Sequence, residues 1–231
     1  NIENEGVATD STVQQNTVVS QLPRLILPGL PTKVLQVSAS RDLDLIVAST
    51  AANQVYLFNL RDGRFVQVID LAQYVEKPVT EDKKLPKPNY RITHMVTTWT
   101  GYVLISVTSL HSNLPNYLFC FDVNGYLLYK RADVRRIHTM CTSKDSKWLF
   151  CASSYNLCIF TLPDLRLNTV LASPKLRIDS VCVSSDSRAL LAGVQDGSVL
   201  CFGLNLRWKE AEEEMPAAVD ENDLGMPEDL E

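Results

Sequence analysis

No stretch of this chain approaches the roughly 20 consecutive apolar residues that a membrane-spanning helix needs. The longest, Leu22 to Leu30, is interrupted by Pro23, Arg24 and Pro28. The amino-terminal segment is polar and lacks a basic start followed by an apolar stretch, so no secretory signal is written there. The first residue is Asn1 rather than Met, and the chain is read as a piece of something longer. Histidine is scarce, with only His94, His111 and His138, too few for a persuasive catalytic triad or metal centre. The nine glycines are isolated turn residues and form no phosphate-cradling loop. There are six cysteines, but no two of them stand two or three residues apart, and only His138 and Cys141 make a close His/Cys pair. Cys120, Cys151, Cys158, Cys182 and Cys201 lie inside apolar strand-like segments and Cys141 ends one. Buried thiols of a reduced cytosolic protein are therefore expected, rather than zinc ligands or disulfides.

What is present is a pattern written four times. Val34-Leu35-Gln36-Val37-Ser38, Ile92-Thr93-His94-Met95-Val96, Ile137-His138-Thr139-Met140-Cys141 and Ile178-Asp179-Ser180-Val181-Cys182 each open a unit. Each unit closes on an aromatic-ended strand, ending at Phe58, Phe121, Phe160 and Phe202. The opening-to-opening distances are 58, 45 and 41 residues. A repeat of about 40 to 45 residues holding several short strands is the signature of β-propeller blades. The predicted fold is all-β, with four WD-repeat-like blades at about 34–70, 92–130, 137–171 and 178–204, taken as the C-terminal part of a seven-bladed ring. The last unit lacks a fourth strand, so earlier blades or another chain are needed to close the ring.

Turn chemistry sets the strand limits. Gln195-Asp196-Gly197 reads as a hairpin whose Asp-Gly pair supplies positive-φ positions. Asp62-Gly63, Asn124-Gly125 and Pro163-Asp164 mark the third-to-fourth-strand turns. Asp145 and Asp186 lie in first-to-second-strand turns, where a carboxylate caps its own backbone rather than acting as a general acid or base. Trp99 and Trp148 fall in or beside second strands and are expected to pack in the core or between blades, with Trp208 a lid on the barrel bottom. His94 and His138 are expected to be structural.

Residues 1–21 read as a disordered linker before the 22–208 blade region, with a possible short strand at Leu22 to Leu27. The proline-rich insertion from Glu76 to Asn89 accounts for the 58-residue spacing, and Leu110 to Asn116 is a second lengthened loop. Residues 209–231 carry ten acidic residues against Lys209, a solvated and disordered acidic tail. The remaining 208 residues hold 21 basic and 17 acidic groups.

The connections between blades, at about 71–91, 130–136 and 168–177, concentrate positive charge. They hold Lys77, Lys83, Lys84, Lys87, Arg91, Lys130, Arg131, Arg135, Arg136, Lys175 and Arg177 against four acids. In a propeller such connections emerge on one face, which makes that face a candidate surface for an acidic or phosphorylated protein segment or an anionic membrane. The chain's own acidic tail is a further candidate occupant. Nucleic acid is not expected, because the cations have no aromatic interleaving.

With the repeats in register, the run from Leu35 to Ile69 resembles the C-terminal WD repeats of BEACH-domain proteins, nearest the neurobeachin-like group. Its carriers are Val37-Ser38-Ala39-Ser40-Arg41-Asp42-Leu43-Asp44 and Leu60-Arg61-Asp62-Gly63-Arg64-Phe65. Tyr117 to Leu128, Asp179 to Val183 and Leu190 to Val199 continue it, so that it covers about residues 30–204. The repeats depart from strong WD units in having no Gly-His opening, and Phe58-Asn59, Phe121-Asp122, Phe160-Thr161 and Phe202-Gly203 stand where Trp-Asp would. The resemblance implies a cytoplasmic scaffold, peripheral on endomembranes, acting in vesicle trafficking and membrane sorting.

A non-enzymatic interaction platform without cofactors is the expected function. The alternative is a WD-repeat subunit that recognises substrates or partners in a ubiquitin-ligase or signalling complex. An enzymatic propeller would need polar groups converging on the central channel, where only His94, His138 and Asp179 stand out among Val, Met, Thr, Ser and Cys.

Overall fold

The computed structural model describes residues 27, 29–40, 42–75, 90–111, 114–172 and 177–205. The expected linker, the insertion at 76–89, Trp208 and the acidic tail lie outside the described residues, as does all but the last residue of the possible strand at Leu22 to Leu27. The chain divides into two compact units, residues 1–134 and 135–231.

The first unit contains two four-stranded antiparallel sheets. One is β1 (Val34–Ser40), β2 (Leu45–Thr50), β3 (Gln54–Asn59) and β4 (Phe65–Asp70), followed by a single 3-10 turn at Leu71–Gln73. The other is β5 (Tyr90–Thr97), β6 (Val103–Ser109), β7 (Asn116–Phe121) and β8 (Leu127–Val134). The second unit holds the four-stranded sheet β9 (Thr139–Thr142), β10 (Trp148–Ser153), β11 (Asn156–Thr161) and β12 (Leu167–Ala172). Its partner is the three-stranded sheet β13 (Ile178–Val183), β14 (Ala189–Val194) and β15 (Val199–Gly203). In every sheet the spatial order follows the chain order, a meander of blade type.

The turns that punctuate these meanders repeat the same chemistry. The Ser143 hydroxyl accepts from the Trp148 N–H at 3.0 Å and donates to Asp145, whose carboxylate accepts from the Lys147 N–H at 3.1 Å. Ser184 does the same with the Ala189 N–H at 2.9 Å and with Asp186, which accepts from the Arg188 N–H at 3.1 Å. The Ser184 hydroxyl, then the Arg188 N–H, hold the Asp186 carboxyl below its ordinary range. Both aspartates thus cap their own turns. At the outer hairpins Asn59 accepts from Arg61 and Asp62, and Asp122 from Asn124 and Tyr126. Gly63 and Gly125 take the positive φ that these turns require. In the Asp196-Gly197 hairpin only Gly197 has positive φ; Asp196 contributes by accepting from the Ser198 N–H at 2.9 Å.

Within each unit the two sheets face each other across an apolar seam. In the first, Leu45, Val47, Val55, Leu57 and Ile69 meet Val103, Ile105, Val107, Tyr117, Phe119 and Phe121. Tyr74, just after the 3-10 turn, sets its ring 5.2 Å from Phe121. In the second, Trp148, Phe150, Ala152, Leu157 and Ile159 meet Ile178, Leu190, Ala192 and Val194. Each large side chain buried this way contributes about 1.5–3 kcal/mol, so these seams are the main cohesion within the two pairs.

Two expectations fail. Trp99 is 51% exposed, in the turn after β5 rather than in the core, whereas Trp148 is buried. The first-to-second-strand turn of the second sheet is one residue shorter than its counterparts: Thr98 N–H bonds to Tyr102, while Ser143 and Ser184 bond five residues on. Cys182 and Cys201 are exposed, not buried. They lie on the face of the three-stranded sheet turned away from the seam, in one cross-strand row with Leu191. Cys120 and Cys151 are buried as expected, and burial pushes the Cys120 thiol up to about 12.

Candidate functional site

A cation stands at or just before the first strand of each sheet: Lys33 precedes Val34, Arg91 precedes Ile92, Arg136 precedes Ile137 and Arg177 precedes Ile178. All four side chains are exposed. The backbone fixes two of them in the same manner, with the Ala51 N–H donating to the Lys33 carbonyl at 2.9 Å and the Gln195 N–H to the Arg177 carbonyl at 3.0 Å. Lys33 was not among the residues expected from loop charge. The signal for it was register rather than composition, since it occupies the same repeat position as three residues that were.

The eleven expected cations fall into three groups. Lys77, Lys83, Lys84, Lys87 and Lys175 lie outside the described residues. Arg91, Lys130 and Arg131 lie within strands rather than connections, Arg91 in β5 and the other two in β8, which extends to Val134. Lys130 is already engaged, its ammonium 4.8 Å from the centre of the buried Tyr117 ring. Arg135, Arg136 and Arg177 stand on short connections of the second unit and are exposed.

In the second unit Arg136 and Arg177 act on one imidazole. His138 directly precedes β9, and its N–H donates to the Ala152 carbonyl at 2.8 Å. Its ring Nε2 lies 3.4 Å from the Ser154 hydroxyl at the tip of the β10–β11 hairpin. The Ser154 carbonyl accepts from the Ile178 N–H at 2.8 Å, which brings Arg177 to the same tip. Arg177 Nε is 3.0 Å from Asp179 Oδ1, with both side chains about half exposed. Partial burial, then Arg177 and Arg136, hold the His138 imidazole below its ordinary range, opposed by Asp179. The ring is therefore biased to the neutral form while flanked by positive charge.

The other histidines are placed differently. His94 lies inside β5 opposite Ser106, and His111 comes after β6, where its N–H donates to the Ser109 hydroxyl at 3.0 Å. At the far end of β5 from Arg91, Trp99 lines a small cleft of about 210 Å³ with Ala39, Ser40, Thr97 and Thr98. Among the described residues no group of three or more His, Cys, Asp or Glu is arranged to hold a metal.

Comparison with solved structures finds a similar fold in the crystal structure of the computationally designed Ika4 protein. The TM-score is 0.52 at 10% sequence identity, covering 78% of this chain and 96% of that one. At that identity the likeness concerns the fold alone. No protein-family model matches the chain.

Proposed function

We propose that this chain is a non-enzymatic protein-interaction platform, formed of WD-repeat-like blades that belong to a seven-bladed propeller. On this reading it serves a BEACH-type scaffold of vesicle trafficking, cytoplasmic and peripheral on endomembranes, and its partners carry acidic or phosphorylated segments. The observation that carries the reading is the recurrence of one exposed cation at or just before the first strand of each of four meandering sheets. An exposed positive charge repeated at each structural repeat, in both units, favours anionic partners.

Two sheet faces support a larger ring. The row Val37, Ala48, Tyr56 and Val68 crosses all four strands of the first sheet, with Val37 63% exposed. The outer face of the last sheet presents Leu191, Val199, Cys182 and Cys201, with Val199 64% exposed. Apolar pleats of this kind suit coverage by a neighbouring blade.

The direct test is binding of a glutamate-rich peptide. Reversing Arg135 and Arg136 together (R135E/R136E) is expected to weaken it at least about tenfold. Removing residues 209–231 is expected to strengthen it, because the acidic tail would compete for the same cations. Unchanged affinity in both variants overturns the platform reading.

A further inference from the structure

The cluster around His138 has a charge balance and a geometry that select among anions. Among the described residues, the charged groups acting on the ring are Arg136, Arg177 and Asp179. Two guanidiniums against one carboxylate leave a single positive charge, which becomes two when the imidazole is protonated. A carboxylate side chain carries one negative charge, whereas a phosphate monoester carries about 1.5 to 2 near neutral pH. Guanidinium forks also match phosphate oxygens with paired donors. The Ser154 hydroxyl, 3.4 Å from Nε2, adds a neutral donor at the same tip.

We propose that Arg136, His138, Ser154 and Arg177 form a binding site for a single phosphate monoester carried on a partner protein. The proposal rests on the platform reading and narrows it to one ligand class at one end of the second unit. A phosphorylated side chain fits better than a lipid surface. Lipid surfaces recruit diffuse clusters of 4 to 8 cations, as a rough rule, and this site has fewer, focused on a half-buried ring. His138 makes the site responsive to pH. In the free protein the ring is biased to the neutral form, and an arriving dianion offsets Arg136 and Arg177 and raises its proton affinity, so binding takes up a proton from solvent. Affinity therefore rises as pH falls from the bound-state value of the ring toward its free-state value, and levels off below that.

The experiment tracks the His138 ring resonances by NMR in the full 231-residue chain. The probe is a short Gly/Ser peptide bearing one phosphoserine, with its unphosphorylated twin as control. Titrations at about pH 8 and about pH 6.5 stay above the second ionisation of phosphate near 6. The expected result is saturable binding of the phosphopeptide only, about fivefold tighter at the lower pH. R136S and R177S should each weaken it about tenfold or more, while H138Q, followed by the backbone amide shifts of the β10–β11 hairpin because it has no ring to observe, should keep binding at the higher pH and lose the pH dependence. Equal affinity for both peptides, a pH dependence that survives H138Q, or preference for phosphoinositide vesicles over the phosphopeptide each overturns the site. If a glutamate-rich peptide still binds through Arg135 and Arg136, only the phosphate site has failed. If neither peptide binds, the platform reading has failed with it.

Discussion

The seams of the two units solve one packing problem with the bulk on opposite sides. In the first, the aromatic mass stands on the second sheet, where Tyr117, Phe119 and Phe121 press on the smaller Leu45 and Val47. In the second, Trp148 and Phe150 occupy the positions of Leu45 and Val47, and face Leu190, Ala192 and Val194. Large opposite small keeps the volume between sheets filled at interior density, so either arrangement closes the seam. The polar stitching also differs. Asn53 reaches across the first seam with its side chain, donating to the Tyr90 carbonyl and accepting from the Ile92 N–H at 3.2 Å. Gln36 donates to the Thr93 carbonyl at 3.1 Å, and Ser38 and Thr97 hydroxyls lie 2.8 Å apart. In the second unit Ser154 uses its backbone carbonyl for the crossing, which leaves its hydroxyl for His138. The first seam is built for cohesion, and the second frees polar groups at its end for a ligand.

The largest expected effect lies in the aromatic sheet. Phe119→Ala should cost about 3–5 kcal/mol by the cavity it opens, measured by chemical denaturation. Leu200→Ala, at the matching position of the second unit and only partly buried, should cost about 1–2 kcal/mol. Equal costs would break the asymmetry. Next, Asn53→Ala should cost about 2 kcal/mol by removing two hydrogen bonds. Ser154→Ala should cost less than about 1 kcal/mol, since the backbone makes its crossing bond. A further pair contrasts two turns. Gly101 has φ +99°, and a Cβ there would lie 2.7 Å from Val123 and 2.8 Å from Leu43, so Gly101→Ala should cost about 2 kcal/mol. Ser187, at φ 56°, sits in the left-handed region, and Ser187→Gly should gain about 0.5 kcal/mol.

Much of this architecture was legible because turn residues and strand alternation are local signals. The strands Ala189–Val194 and Trp148–Ser153 fall within a residue of their expected limits. The Ser-x-Asp and Asp-Gly turns form where their chemistry directs. The features that escaped depended on register. Trp99 was misplaced because it falls inside the turn closed by the Thr98–Tyr102 bond, and Tyr102 takes the position that Trp148 holds in the third sheet. The strand reading of β8 stopped at Lys130 because Lys130 to Val134 looks like charged loop. Its cations are tolerated there since Lys130 lies over Tyr117. The exposure of Cys182 and Cys201 could not be seen locally, since an apolar strand announces two buried faces whether or not a second sheet covers it. Counting cations by loop hid the recurring position of Lys33, Arg91, Arg136 and Arg177, which only the repeat alignment shows.

If these sheets are blades whose uncovered apolar faces are covered by neighbouring blades in the full protein, two thiols report on it directly. Cys182 and Cys201 share the outer face of the last sheet, while Cys120 and Cys151 are buried within the chain. Alkylation rates at each cysteine, read by mass spectrometry, should be compared between this chain alone and the native protein in its cellular assembly. Cys182 and Cys201 are expected to label rapidly in the isolated chain and to become protected in the native assembly, with Cys120 and Cys151 slow in both. Equally rapid labelling of Cys182 and Cys201 in the native assembly would contradict it, because the face would then be a finished surface rather than one side of a seam.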